Sequence, residues 1–336
     1  MQKHYFIVCL VLLLAVRLGA EPIPAGYYDR VNGLKDAQLK GTLKSIIRPH
    51  TVIPYGSGVG NTWGVFYYSD RDENGLCMDM YCDDWKPLTS EGAVAAGCNT
   101  EHSFAKSWWG GAKNDAYKDC YHLNPSNSQA NSIRSNYPLG EVSKVEKQAG
   151  TIKVGKMHHQ TLNEDYYVFM PKDEYKGDFA RAYFYMVTCY GKDLNGKYDE
   201  VCTAYKGWRT DNKDVGSRYA MQNNNYLEFQ DWEIAVLLKW HRQDPVSEKE
   251  IKRQDAVSNF QHNRNPYIDY PDLVEYIWGA NKGKTYMLTT DLDEMTQPAT
   301  SVKYMENGHL YVIYNDIDEP PSLYIDEDGH LIFGER

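Results

Sequence analysis

Residues 98–111 read CNTEHSFAKSWWGG, and residues 119–142 read DCYHLNPSNSQANSIRSNYPLGEV. The first stretch sets an acid, Glu101, directly before a histidine, His102, among small and aromatic residues. Histidine's ordinary pKa of about 6.5 lets it take a proton from water near neutral pH. A carboxylate beside it can hold a hard divalent cation, which prefers oxygen ligands. Neighbours on a regular strand point to opposite faces, so both side chains can serve one site only at a strand end or bend. The second stretch would supply a further oxygen ligand. Pro125 and Ser126 suit the start of a short helix, and Asn131 and Arg134, three residues apart, would share one of its faces. An amide oxygen and a guanidinium would then emerge together, one for a metal and one for a phosphate. Taken alone the pair is ordinary, because a surface Glu-His or a core histidine is commoner than a catalytic one.

Working outward, residues 33–47 (GLKDAQLKGTLKSII) place Leu34, Leu39, Leu43, Ile46 and Ile47 at helical spacing. The glycines of PYGSGVGNTWG lack the Gly-Lys-Ser/Thr of a phosphate loop and read as a solvated loop. WGVFYYSD reads as a strand from its aromatic and β-branched content. FARAYFYMVTCYG follows Asp178, a good N-cap, as a helix with Phe179, Tyr183, Phe184 and Val187 toward a core. LEFQDWEIAVLLKWH is a second buried helix, and Ser247 with Glu250 forms a capping-box pattern for a charged helix reaching about Asn259. Helices outnumber strands, so the fold class is α+β, mostly helical with a small sheet. VKYMENGHLYVIY and SLYIDEDGHLIF each hold an Asn-Gly or Asp-Gly turn between alternating runs and read as hairpins. They would form a short β-rich appendage over 285–336.

The chain has 336 residues, 42% hydrophobic and 24% charged, enough for a substantial globular core. Gln2-Lys3-His4, the apolar run Phe6–Val16 and Gly19-Ala20 form a cleavable signal peptide over 1–20, and no stretch is long enough to span a membrane. The expected location is secreted or periplasmic. Six cysteines remain: Cys77, Cys82, Cys98, Cys120, Cys189 and Cys202. In an oxidising compartment they allow up to three disulfides, with free buried thiols as the alternative. Zinc-site spacing is lacking. Residues 285–336 carry 11 acidic and 2 basic side chains, nearly all of the net charge of −10, whereas residues 101–160 carry 8 basic and 5 acidic. A mildly basic centre is compatible with a polyanionic substrate.

The two opening stretches, in that order, closely resemble the endonuclease I family of secreted nucleases with the ββα-metal (His-Me) finger. YKGDFARAYFYMVTCY, LLKWHRQDPVSEKEIKRQDAVSNFQHNRNP and YIDYPDLVEYIWG extend the likeness over most of 27–280. The resemblance implies a nuclease domain over 21–284 with an embedded ββα-metal finger. His102 would be the general base, Glu101 and Asn131 the metal ligands, and Arg134 a phosphate-binding catalytic group. The cation would be Mg²⁺, with Mn²⁺ or Ca²⁺ as alternatives, and the reaction hydrolysis of DNA, with RNA as second substrate, to 5′-phosphate ends at little sequence specificity. Alternatives are a ribonuclease of the same family and a nucleic-acid-binding protein with an impaired site. The enzyme would act as a monomer. Many members read Asp-Leu-His-His/Asn-Leu where this chain reads Asp119-Cys120-Tyr121-His122-Leu123, so Tyr121 stands at a usual histidine. His122, Lys106 and Lys113 are the expected substrate contacts, with Lys118 the remaining lysine where some relatives place an arginine. QHNRNP (261–266) reads as a hydrogen-bonded turn, His158-His159 as a surface pair, and Trp108-Trp109 as core packing.

Overall fold

The computed structural model describes residues 23–288 apart from 224, together with segments 301–306, 309–314, 322–325 and 331–334. The leader expected over 1–20 and the tail turns at Gly308 and Gly329 lie outside the described residues. The chain divides after Tyr286 into two units. The first contains α1 (Asp36–Ile47), α2 (Thr62–Ser69), β1 (Leu76–Cys77), β2 (Lys86–Pro87), β3 (Cys98–His102), β4 (Leu123–Asn127) and α3 (Ser128–Arg134). It continues through β5 (Lys147–Ala149), β6 (Ile152–His159), β7 (Glu164–Met170), α4 (Lys176–Cys189), α5 (Ser217–Ala220), α6 (Asp231–Gln243), α7 (Glu248–Gln261), α8 (Pro266–Asp269) and α9 (Leu273–Ile277). The strands form small antiparallel sheets, β1-β2, β3-β4 and β5-β6-β7. This is the expected α+β mixture. In the second unit Ser301–Glu306 pairs antiparallel with His309–Tyr314, and Ser322–Ile325 with Leu331–Gly334. Among the described residues no helix is long and apolar enough to cross a membrane.

Helix α4 forms the centre of the first unit. Phe179, Tyr183, Phe184 and Val187 are all buried, as their spacing predicts. The helix begins two residues before Asp178, because Asp244 accepts the Gly177 N–H at 2.8 Å and so caps the first turn from another element. Tyr183 packs with Phe104 and Trp108, and Phe104 with Trp208, the rings meeting edge to face with centroids 5.1–5.7 Å apart. Each fully buried aromatic contributes about 2–3 kcal/mol. Trp108 and Trp109 are both fully buried, so they are core residues as expected.

WGVFYYSD, expected as a strand, lies in helix α2, Thr62–Ser69. Thr62, Trp63, Gly64, Val65 and Phe66 are all buried, so the segment has no polar face to reveal a helical period, and packing overrides its β propensity. Helix α6 starts at Asp231 rather than Leu227, since Glu228 sits at φ 67° and breaks any earlier turn. At α7 the Ser247 hydroxyl accepts the Glu250 N–H at 3.2 Å, as the capping box predicts. Pro125 and Ser126 do not start α3. They lie in β4 opposite Thr100 and Asn99, and the cap is Asn127, whose Oδ1 accepts from Gln129 N (3.0 Å) and Ala130 N (3.1 Å).

The expected disulfides are absent among the described residues, where all six cysteines are free thiols. Cys98 is partly exposed and the other five are buried. Cys202 Sγ lies 3.5 Å from the Tyr190 carbonyl and Cys189 Sγ 3.9 Å from that of Ile47, so these thiols serve as small core groups and weak donors.

Candidate active site

Strands β3 and β4 pair with Glu101 opposite Asn124 and His102 opposite Leu123, and α3 follows β4 directly. The Glu101-His102 pair occupies the last two positions of β3, so both side chains reach one cleft. That cleft has a volume of about 440 Å³ and is lined by Tyr55, Asn99, Thr100, Glu101, His102, Ala105, Lys106, Ser107, Asn131, Arg134, Ser135 and Asn136.

His102 is 5% exposed, and its Nε2 lies 3.0 Å from the Tyr117 carbonyl oxygen. A carbonyl only accepts, so Nε2 carries the proton and Nδ1 is left with a lone pair. Tyr117 and Tyr55 flank the ring at centroid distances of 4.5 and 5.7 Å. Burial, reinforced by His122, holds its pKa well below the ordinary value. The imidazole is therefore neutral near pH 7, the form that can accept a proton.

Glu101 is 3% exposed. Its Oε1 accepts the Tyr81 hydroxyl at 2.8 Å and lies 3.3 Å from Arg134 Nη1. Oε2 has no side-chain partner among the described residues. Burial raises this carboxyl's pKa, and Arg134 and the Tyr81 hydroxyl oppose the rise. Asn99 lies two residues before Glu101 on the same strand face, and its Oδ1 accepts Asn131 Nδ2 at 2.8 Å. That bond brings Asn131 over the face that holds Glu101 and uses its amide NH₂. Asn131 Oδ1 has no partner among the described residues.

Asn131 and Arg134 do not emerge together. Asn131 is partly exposed at the cleft, whereas Arg134 is 1% exposed and runs beneath the strand end. Its Nη1 donates to the carbonyls of His102 (3.2 Å) and Ser135 (3.2 Å), and its Nη2 to the Ser103 carbonyl and the Tyr183 hydroxyl. The guanidinium face lies 4.9 Å over the Phe169 ring. This geometry braces the backbone under Glu101 and His102, with little of the fork left for a phosphate.

Among the expected substrate contacts, Lys106 is exposed on the cleft, its ammonium 5.7 Å from the Tyr117 ring centroid. Lys113 is exposed but does not line the cleft, and Lys118 is half-buried. His122 is fully buried behind His102, their ring centroids 5.5 Å apart, with its Nε2 2.6 Å from the Ala116 carbonyl. Burial pushes its pKa down to about 4. It touches no solvent, so it backs the site instead of facing a substrate.

The sequence reading missed Tyr81, Asn99 and the Tyr117 carbonyl. Asn99 was findable from its strand spacing to Glu101. No sequence pattern points to the other two, which arrive through tertiary contacts.

A family profile described as endonuclease I matches residues 36–272. The chain belongs to the endonuclease I family. It is similar to the extracellular ribonuclease of Bacillus amyloliquefaciens, 30% identical over 265 residues, covering 75% of this chain and 78% of the relative. The extracellular ribonuclease of Bacillus subtilis (strain 168) is 29% identical over 264 residues, with the same coverage. Membership of the endonuclease I family makes the chain a nuclease acting on nucleic acid, and it implies use of a divalent metal.

Among its described residues this endonuclease I member offers two sets of ligand-type side chains. Besides the cleft, His50, Asp119 and Cys189 bring ligand atoms within 4.8 Å of one another. Asp119 is already saturated: Oδ1 accepts from Tyr121 N (2.9 Å) and Gln261 Nε2 (3.1 Å), and Oδ2 from the hydroxyls of Tyr185 (2.7 Å) and Tyr190 (2.8 Å). His50 Nε2 meets the Tyr190 hydroxyl at 2.8 Å, and burial pushes the Cys189 thiol's pKa well up. This cluster is a hydrogen-bonded hub rather than an open site. Tyr121, the departure from the family pattern, joins the same hub by donating its hydroxyl to the Asn263 carbonyl at 2.7 Å. QHNRNP closes the hub as a buried turn. Asn263 Nδ2 donates to the Ile47 carbonyl at 2.8 Å, and Arg264 pairs with Asp255 and Asp269. In the His158-His159 pair, His158 is exposed beside Asp165 at 2.9 Å, whereas His159 is buried against the Tyr166 and Tyr219 rings, contrary to the surface reading.

Proposed function

We propose that this chain is an exported, divalent-cation-dependent endonuclease hydrolysing DNA, with RNA as second substrate, at little sequence specificity. β3, β4 and α3 form its ββα-metal finger, and residues 285–336 are a β-rich appendage. The observation that carries this reading is the neutral His102, its Nε2–H held by the Tyr117 carbonyl and Nδ1 free, in one cleft with Glu101 and Asn131. These residues fit a hard cation such as Mg²⁺, with Mn²⁺ or Ca²⁺ as substitutes, because Glu101 Oε2 and Asn131 Oδ1 are oxygen donors without side-chain partners among the described residues. The cation, when bound, supplies positive charge to the scissile phosphate and the departing 3′ oxygen.

Nδ1 of His102 takes a proton from water as that water attacks phosphorus. The P–O3′ bond breaks, the departing 3′ oxygen takes a proton from solvent water, and the 5′-phosphate remains. The Tyr117 carbonyl stabilises the imidazolium that forms, Arg134 fixes the strand end beneath it, and Lys106 meets the phosphate chain at the rim. Specificity is low because these groups address phosphate and not base edges.

The nucleophile is water and not a 2′-hydroxyl, so neither sugar is excluded. A ribonuclease preference is the second reading, favoured by the two relatives named extracellular ribonucleases, whose names also support export. Plasmid DNA and a structured RNA, incubated separately with the mature protein in Mg²⁺ and in EDTA, test both. Cutting is expected only with metal, lowered at least ~100-fold in His102→Ala, and giving phosphatase-sensitive 5′ ends. Unchanged cutting by His102→Ala removes that residue as base, and the ratio of the two rates ranks the substrates.

A further inference from the structure

A second concavity adjoins the catalytic cleft. It has a volume of about 280 Å³, and Ser135 and Asn136 line both hollows, forming a saddle between them. The saddle is firmly held. Asn136 Oδ1 accepts Gly216 N at 2.9 Å, its Nδ2 donates to the Asp214 carbonyl at 2.9 Å, and its carbonyl accepts Trp108 Nε1 at 3.0 Å. A Cβ at Gly216 would fall 2.2 Å from the Asn136 carbonyl oxygen, so only glycine allows this approach. Ser135 sits at φ 60°, ψ −124°, a conformation that a non-glycine residue adopts at a cost of about 1–3 kcal/mol.

The lining beyond the saddle is rich in tyrosine. Tyr166 and Tyr219 stack at 4.6 Å and 9° and are nearly buried. Tyr137 and Tyr167 pack at 5.1 Å and 33° and remain partly exposed. Lysines surround the exposed pair. Lys147 Nζ lies 4.4 Å from the Tyr167 ring centroid and bonds the Tyr137 hydroxyl at 3.2 Å, and Lys156 Nζ lies 5.2 Å from the Tyr167 ring. Of the lysines only Lys213 is in the lining itself; its side chain is 73% exposed with Nζ 3.4 Å from Glu164, and Lys156 Nζ lies 4.0 Å from Glu146. Asp165 and Asp214 line the pocket as well, so it is not a simple anion trap. Rings beside ammonium groups next to acids suit a base lying flat with its phosphates on the lysine side.

We propose that the Tyr137–Tyr167 pocket is a nucleobase subsite, which stacks an unpaired base of the strand whose scissile phosphate lies across the saddle at His102. This inference rests on the nuclease reading for its occupant and on the pocket's own geometry for its chemistry. The subsite holds a base by its π-face, which every base has, so it adds affinity for single strands without adding sequence preference.

The test is equilibrium binding in EDTA, which does not require catalysis. Fluorescence anisotropy compares a labelled dT 12-mer with a 12-mer of the same phosphates carrying abasic sugars throughout. Wild type is expected to bind the dT 12-mer about tenfold tighter. Tyr137→Ala/Tyr167→Ala should bind both equally, and Tyr137→Phe/Tyr167→Phe should keep the preference. Equal binding by wild type, or an undiminished preference in a folded alanine pair, overturns the subsite. If the alanine pair does not fold, the wild-type comparison decides. Failure of the plasmid and RNA assay alongside intact base preference would count against the nuclease reading and leave the subsite standing.

Discussion

Tyr81 shows how a side chain outside the recognisable motif can control the site. Its hydroxyl binds Glu101 Oε1, and with Arg134 on the same oxygen this leaves Oε2 as the oxygen without a side-chain partner among the described residues. Removing the hydroxyl while keeping the ring should loosen the ligand more than the fold. Tyr81→Phe is expected to raise the Mg²⁺ concentration needed for half-maximal cleavage about tenfold, with a melting temperature close to wild type. An unchanged metal titration would remove Tyr81 from the site. Glu101 and His102 were legible in the sequence through the family resemblance of the stretches that hold them, since the adjacent pair taken alone is ordinary. Tyr81 lies 20 residues earlier, and the Tyr117 contribution is a backbone carbonyl that any residue could supply. Arg134 was legible as a residue and not as a role, since three-residue spacing fixes a helix face but not which side chain is buried.

At the scale of elements, α3 carries Asn131 and is only seven residues long, so its first turn matters. Asn127 accepts two of its unpaired N–H groups through one oxygen. Asn127→Ala should cost about 1 kcal/mol in denaturant unfolding and lower cleavage more at limiting than at saturating Mg²⁺, because the helix that presents Asn131 frays. Equal loss at all metal concentrations would separate the cap from the ligand. Sequence periodicity located α1, α4, α6 and α7 to within a few residues, because each combines a buried face with a polar one or a cap signal. It failed for α2, which is buried around most of its circumference, and passed over β5–β7. The residues of β6, IKVGKMHH, alternate irregularly between core and solvent, with Val154 and Gly155 both buried.

For the whole molecule, one buried acid couples stability to pH. Glu233 on α6 is fully buried, neither carboxyl oxygen has a hydrogen-bond partner among the described residues, and burial holds its pKa well above the ordinary 4.5. The folded state therefore binds this proton more tightly than the unfolded chain. Its contribution is full below the unfolded value near 4.5 and is lost as pH rises toward the folded value. Glu233→Gln should raise the melting temperature at pH 8 by at least ~3 °C and change it little at pH 4.5; an equal shift at both would show that the carboxyl does not titrate on unfolding. The unpaired thiols also bear on how the protein reaches its folded form. With no covalent cross-link among the described residues, folding of this part of the chain should proceed equally well with and without a thiol reductant.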